Sequence, residues 1–291
     1  MTDSKLSRAL VLGAGTMGSG IAEVCARAGL KTWLFDVSPE MVNKGLANLD
    51  RSIQKAVEKQ KLSAPAGAEI RGRISALSPS DDLGTVDLVI EAVPEDMALK
   101  KKIFGDFGHK NEHAILATNT SSLSVTELAA ACARPERVIG MHFFNPPPIM
   151  QLLEIVTAEQ TSPATLAAAK DFAARAEKSA IVVKDSPGFA TSRLGIILGM
   201  EAIRMLESGV ASAADIDQAM ELGYKHPMGP LKLTDLVGLD VRLAIAEHLT
   251  KEIGPQFTPP PLLRRLVRAG KLGKKSGEGF YRWVDGNAVS K

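Results

Sequence analysis

The sequence predicts an α/β fold: an N-terminal doubly wound parallel sheet over residues 1–186, then a smaller all-helical domain over residues 187–291. Three observations carry this reading. Apolar runs of strand length alternate with helix-length segments through the N-terminal part. The first such run leads directly into Gly13-Ala14-Gly15-Thr16-Met17-Gly18, which opens a helix. After Asp185-Ser186-Pro187-Gly188 the strand pattern stops and the apolar segments lengthen to helix size.

Each element can be justified in turn. Ala9-Leu10-Val11-Leu12 reads as a strand, the segment through Ile21, Val24, Cys25 and Ala28 as a helix closed by Gly29, and Lys31-Thr32-Trp33-Leu34-Phe35 as a second strand ending at Asp36. The glycine motif therefore stands after a strand and opens a helix, with an acid 18 residues past its last glycine. That context makes the domain Rossmann-type. Gly13 allows the tight turn, Gly15 lets backbone approach a pyrophosphate at the helix N-terminus, and Gly18 permits close packing. Asp36 is expected to accept from both adenosine ribose hydroxyls. Its charge repels a 2′-phosphate, so NAD is favoured over NADP. Flavin is the main rival, and no other flavin signature is visible.

A polar helix or helix pair runs from Pro39 to about Lys61, with Lys44, Arg51, Lys55, Lys59 and Lys61 on it. Such a basic face reads first as solvated, with a patch for a phosphorylated substrate as the functional alternative. Ile74–Leu77, Val86–Val93 and Ala114–Ala117 read as strands, the second ended by Pro94. Helices are expected at Met97–Phe107 and at Val125–Ala131, the latter capped by Ser122 or Ser124.

Val138-Ile139-Gly140-Met141 then leads into His142-Phe143-Phe144-Asn145 and three prolines, and Leu152–Val156 carries Glu154 in its middle. If the two runs fold back on each other, the turn centres near Pro148 and His142 faces Glu154. A carboxylate opposite an imidazole orients it and stabilises its charged form for proton transfer. The plainer reading is a core histidine satisfied by an acid. In a doubly wound sheet, ligands bind beyond the carboxyl ends of the strands, where Gly13, Asp36, Glu95, Asn119–Ser121 and His142 all fall. This convergence favours the catalytic reading for His142.

A helix over Thr165–Glu177 and a strand over Ala180–Lys184 complete the first domain. In the second, Phe189–Glu207 is apolar on most faces and should be buried on several sides, within its domain or against a second subunit. Ser212–Asp215 resembles a capping box. Helices are expected at Leu233–Glu252 and Pro260–Ala269, and Gly270–Tyr281 reads as a flexible, basic, glycine-rich surface loop.

Composition sets the frame. The chain has 291 residues, 45% hydrophobic and 23% charged, with a net charge of +2. Nothing in that balance supports nucleic-acid binding by bulk charge. The two cysteines, Cys25 and Cys132, have neither metal-ligand spacing nor a disulfide pattern, so no metal is expected and a reducing compartment is. No apolar stretch reaches membrane-spanning length, and the first strand begins too early for a leader peptide. A cytoplasmic protein is the expectation.

The motifs together resemble the L-3-hydroxyacyl-CoA dehydrogenase family, within it the short, single-function 3-hydroxybutyryl-CoA members. The likeness covers nearly the whole chain and rests on GAGTMG, Asp36, EAVPE, NTSSLS, GMHFFNPPPIMQLLEIV, DSPGF, HPMGP with DLVGLD, and GKLGKKSGEGFY. The resemblance implies NAD-dependent, reversible oxidation of a 3-hydroxyacyl-CoA, with His142 as base and Glu154 as its paired acid. It puts Ser121 near the substrate hydroxyl and Asn145 in the same catalytic motif. It implies cofactor contacts for Gly13, Gly15, Thr16, Met17, Gly18, Asp36, Glu95, Lys100 and Asn119, the nicotinamide half falling to Glu95 and Lys100. Ser52 and Lys59 fall near positions touching coenzyme A. Ser192 stands where the family usually has a substrate-site asparagine, which puts substrate range in question. A homodimer through the C-terminal domain is implied as well. The rivals are a dehydrogenase of a free hydroxy acid or sugar acid, and a weakly active NAD-binding protein.

Overall fold

A computed structural model describes residues 6–78 and 84–291. The chain divides into two compact units, Met1–Ser186 and Pro187–Lys291. The first is built on an eight-stranded sheet: β1 (Arg8–Leu12), β2 (Lys31–Phe35), β3 (Ile74–Ala76), β4 (Leu88–Glu91), β5 (Ile115–Thr118), β6 (Val138–Phe143), β7 (Leu152–Thr157) and β8 (Ser179–Lys184). Their spatial order is β3-β2-β1-β4-β5-β6-β7-β8, so the chain direction across the sheet reverses between β1 and β4. Strands β1 to β6 are parallel. Strand β7 runs antiparallel to β6, and β8 parallels β7. The central strands are buried on both faces, which is why they read as continuous apolar runs.

Helices α1 (Thr16–Arg27), α2 (Pro39–Glu58), α3 (Ala64–Gly72), α4 (Met97–Lys110), α5 (Val125–Ala129) and α6 (Pro163–Arg175) accompany the sheet. The expected helix beyond Asp36 is thus a pair, split after Glu58. Ser38, Ser63, Ser124 and Ser162 each cap a helix by accepting from the amide three residues on. Of the two serines considered for α5, Ser124 is the cap. Leu12 of β1 pairs with Phe35 and Glu91, and Glu91 with Thr118. The carboxyl ends of four strands therefore finish level, and the loops that follow them meet on one rim.

The proline segment between β6 and β7 is held firmly. Lys178 donates to the carbonyls of Pro147 at 2.6 Å and Met150 at 2.7 Å. Pro147 is buried against α1, where a Cβ on Gly20 would come within 2.7 Å of its ring.

The second unit holds α7 (Thr191–Glu207), α8 (Ala213–Gln218), α9 (Pro230–Val237), α10 (Leu239–Glu252) and α11 (Pro261–Arg268). Its core gathers Ile196, Met200, Ile203, Leu231, Leu239, Leu249, Phe257, Leu263, Phe280 and Tyr281. Helix α7 is less enclosed than its composition suggests, since Leu194 is 68% exposed. The single helix expected over Leu233–Glu252 is two, because Gly238 takes φ 108°, a backbone state side chains rarely adopt. The unit also has a small hairpin, β9 (Arg282–Val284) with β10 (Asn287–Val289). Its signal was in the sequence: Asp285-Gly286, both at positive φ, is a two-residue hairpin turn.

The glycine-rich loop Gly270–Tyr281 is not the free surface turn expected. Asp235, fully buried on α9, accepts from Phe280 N at 2.8 Å, Tyr281 N at 2.9 Å and Trp283 Nε1 at 3.0 Å. A Cβ on Gly273 or Gly279 would strike Asp235 at 2.2 Å and 2.1 Å. Gly279 clears the Asp235 carboxylate and Gly273 its backbone carbonyl, so the loop can lie against α9. Burial nevertheless raises the Asp235 pKa. Asp235→Ala should destabilise this unit by about 2–6 kcal/mol, from two buried amides left unpaired at about 1–3 kcal/mol each. Urea unfolding followed by Trp283 emission measures it, and an unchanged midpoint would mean that water replaces the carboxylate.

Candidate active site

The dinucleotide loop is shaped by contacts that only glycine allows. Gly13 has φ +98°, and a Cβ there would lie 2.7 Å from Ala92 O. A Cβ on Gly18 would lie 1.7 Å from Gly13 O. Gly15 differs: no protein atom lies within 4 Å of a Cβ built on it. It is the N-cap of α1, offers no capping side chain, and is followed by a first turn without acids, beginning at Thr16 and Met17. An open cradle at the positive end of a helix fits a pyrophosphate.

Asp36 is partly committed to the protein. Its Oδ2 accepts from Ala14 N at 2.8 Å, and Oδ1 accepts a long bond from Ser38 N at 3.4 Å. The acid therefore holds the glycine loop in place, and one of its two oxygens is already engaged. Asp36→Asn keeps an acceptor for Ala14 and loses the charge, so it should chiefly narrow the preference for NAD over NADP. Asp36→Ala removes both and should weaken NAD binding further. Calorimetric titration with each cofactor tests this, and equal NAD losses in the two variants would mean that the Ala14 contact does not hold the loop.

Beyond β4 and β5 stands a buried ionic cluster. Lys100, 1% exposed on α4, approaches Glu91 Oε1 at 2.6 Å and Glu95 Oε2 at 3.3 Å. Glu91, on β4, also accepts from Thr118 Oγ1 and Val93 N, both at 2.7 Å. Glu95 Oε1 accepts from Thr120 Oγ1 at 2.6 Å and Ser121 N at 3.0 Å. Lys100, expected beside the nicotinamide, is thus enclosed, and it reaches the rim through Glu95 and, at 3.4 Å, the Val93 carbonyl. Sequence reasoning missed Glu91 and Thr118. The available signal was a glutamate inside an apolar strand, which must have a partner once buried. Lys100→Met should cost about 3–5 kcal/mol by stranding the Glu91 charge. Adding Glu91→Met should recover most of that loss. If the double variant is no more stable than the single one, as judged by denaturant unfolding, the pair is not what holds this corner.

The hairpin pairs His142 directly with Glu154. His142 Nδ1 lies 2.7 Å from Glu154 Oε2, with the histidine 7% exposed and the glutamate not at all. The Phe144 ring packs on the imidazole at 4.5 Å. Asn119 Oδ1 accepts from Phe143 N at 2.9 Å, which ties the loop carrying Ser121 to the end of β6. Asn145 is exposed just beyond the strand. The first unit thus collects Gly13–Gly18, Asp36, Glu95, Asn119, Ser121 and His142 along the carboxyl rim of one sheet.

Two expected contacts lie elsewhere in this unit. Ser52 and Lys59 are on α2 and at its C-cap, about 20 Å and 30 Å along the helix from Ser38 at 1.5 Å per residue. Helix α2 packs on α1, α3 and β3, at the sheet edge remote from the β6–β7 hairpin. Ser192 belongs to the second unit, as the second residue of α7. Among the described residues no cluster suits a metal ion, and no helix is long and apolar enough to cross a membrane.

An open glycine loop at a helix N-terminus, an acid behind it and a histidine–carboxylate pair on one sheet rim fit a nicotinamide-dependent dehydrogenase. Comparison with known proteins gives the family. Residues 8–186 match the 3-hydroxyacyl-CoA dehydrogenase NAD binding domain and residues 188–283 its C-terminal domain. The chain belongs to the 3-hydroxyacyl-CoA dehydrogenase family, NAD-dependent oxidoreductases. It is 45% identical to a 3-hydroxybutyryl-CoA dehydrogenase of Clostridioides difficile, over 93% of this chain and 97% of that one. The structure of Mycobacterium tuberculosis FadB2 superposes with a TM-score of 0.93 at 41% identity, covering 97% of this chain and all (100%) of that one. That of the (S)-3-hydroxybutyryl-CoA dehydrogenase PaaH1 of Ralstonia eutropha does so with 0.91 at 42% identity, covering 97% and 100%.

Proposed function

We propose that the protein oxidises a short (3S)-3-hydroxyacyl-CoA, 3-hydroxybutyryl-CoA, to the 3-ketoacyl-CoA, and runs the reverse reduction, with His142 as the general base. The observation that carries the mechanism is the 2.7 Å contact between His142 Nδ1 and Glu154 Oε2 at the end of β6. The substrate reading is supported by relatives named for that activity.

When bound, NAD supplies the hydride acceptor, and in reverse NADH supplies the donor. Everything else falls to the chain. Nδ1 donates its proton to Glu154, so Nε2 carries the lone pair that takes the 3-hydroxyl proton. The buried Glu154 carboxylate then stabilises the imidazolium, and in the reduction His142 returns the proton to the carbonyl oxygen. General acid–base help of this kind is worth about 10²–10⁴-fold. Ser121, held through its amide by Glu95, orients the reacting oxygen. Asn145, three residues beyond His142, borders the same reacting group. Glu95, positioned by Lys100, is assigned to the nicotinamide half of the cofactor. Ser192 contributes a short hydroxyl toward the acyl part of the substrate. Ser52 and Lys59 are assigned to coenzyme A on the strength of the resemblance alone.

In this reading the first unit is the NAD-binding domain and the second the substrate and dimerisation domain. The exposed Leu194, Leu236, Val237 and Val241 of the second unit support a homodimer through it. Two buried, unpaired thiols, Cys25 and Cys132, suit the reducing conditions of the cytoplasm, and burial pushes the Cys25 thiol up to about 12.

An NADH-linked assay with acetoacetyl-CoA tests the activity. His142→Ala should lower turnover by about 10²–10⁴-fold and leave NAD binding near normal, because His142 lies outside the glycine loop. Glu154→Gln should lower turnover less, since the amide can still fix the ring but cannot stabilise its charge. Near-native turnover in His142→Ala would remove it as the base.

A further inference from the structure

Among the described residues of the second unit, Arg242 is the only buried lysine or arginine. It lies on α10, is 7% exposed, and makes no hydrogen bond or ion pair with a described residue of its own unit. Its Nε is buried without a hydrogen bond. Burial lowers the guanidinium pKa to about 10, which still leaves a cation at neutral pH. A buried charge without a partner is costly, and proteins keep one where an anion arrives.

The guanidinium is aimed at α7. A Cβ on Gly195 would lie 3.1 Å from Nη1 and 3.8 Å from Nη2, so the bare glycine is what lets the group lie against the helix. Ser192 is three residues earlier on α7, one turn toward its N-terminus and on the same face. The Ser192 position and an unpaired guanidinium thus share one face of α7. Guanidinium presents parallel donors that match a carboxylate.

We propose that Arg242, Gly195 and Ser192 form a carboxylate-binding subsite, and that the protein takes acyl-CoA substrates whose acyl chain ends in a carboxylate. This rests on the acyl-CoA reading above and on Ser192 meeting the acyl part. An arginine kept only for packing would be expected against an acid of its own unit, and Arg242 has none there.

The test compares two five-carbon ligands that are not turned over, glutaryl-CoA and pentanoyl-CoA, which differ in a terminal carboxylate against a methyl group. Calorimetric titration of the full-length protein with NAD present should show glutaryl-CoA binding tighter by about 10- to 100-fold, the range for hydrogen bonds to a charged group. Arg242→Met should abolish that ratio. The substitution replaces an unpaired cation by an apolar chain of similar length, so the fold should survive, which thermal unfolding checks. Gly195→Ala, which presses on the guanidinium while retaining it, should reduce the ratio.

Equal affinities in the native protein overturn the proposal. So does an Arg242→Met variant that keeps the preference. If Arg242→Met instead turns a dimer into a monomer by light scattering with the ligand ratio unmoved, the guanidinium meets a carboxylate of a second copy, and the subsite is refuted. Acetoacetyl-CoA turnover, measured in parallel, separates the two levels. Turnover without the carboxylate preference sinks only the subsite, whereas no turnover and no acyl-CoA binding sinks the acyl-CoA reading and the subsite with it.

Discussion

A carboxylate with no exposed surface must be paired, and the pairing of Glu154 with His142 is the constraint on which the site depends. To bring the two together, the chain has to reverse direction within the sheet. The parallel order of β1 to β6 is therefore broken at β7, and the reversal needs a connection that cannot wander. Three prolines, two bonds from Lys178 and the notch at Gly20 in α1 fix it. The imidazole is then held by its strand, its carboxylate and the Phe144 ring. The most irregular part of the first unit thus serves its most exact geometry.

The Glu91–Lys100–Glu95 cluster serves the same end by another route. Buried ion pairs add little net stability against apolar alternatives of similar size. Their use here is positional: Lys100 holds Glu95, and Glu95 holds the amide of Ser121 and the hydroxyl of Thr120. Through Asn119, the same loop reaches Phe143, beside His142. The rim is thus tied by polar contacts anchored in the sheet at Glu91 and Thr118 and ending at the Phe143 amide, next to the histidine. Moving any member shifts the serine relative to the imidazole.

The second unit is organised by buried carboxylates that bind backbone. Asp235 gathers Phe280, Tyr281 and Trp283, and Asp217 receives Leu231 N, Lys232 N and the Tyr281 hydroxyl. Desolvation, then the hydrogen bond to Asp217, raises the Tyr281 pKa, so the phenol stays a donor. Against this background of satisfied acids, Arg242 is the exception. Its charge has no answer among the residues described in this unit, which is why it points to a ligand rather than to packing.

Much of this protein was legible in the sequence, because its rules act over short distances. Apolar runs of strand length, the glycine loop with Asp36 behind it, serine caps and the facing of His142 and Glu154 all follow from local pattern and from counting outward from a turn. The sequence by itself therefore determined the fold class and the principal members of the candidate site. What it left open depends on partners far along the chain. Glu91 finds Lys100 and Thr118 only once β4, β5 and α4 are assembled, and Gly270–Tyr281 stops being a loose loop only once Asp235 lies beneath it. Gly195 and Arg242 are 47 residues apart, and neither signals the other in sequence. Their meeting was decided by the packing of α7 against α10, because burial and pairing are properties of assembled surfaces rather than of chain segments.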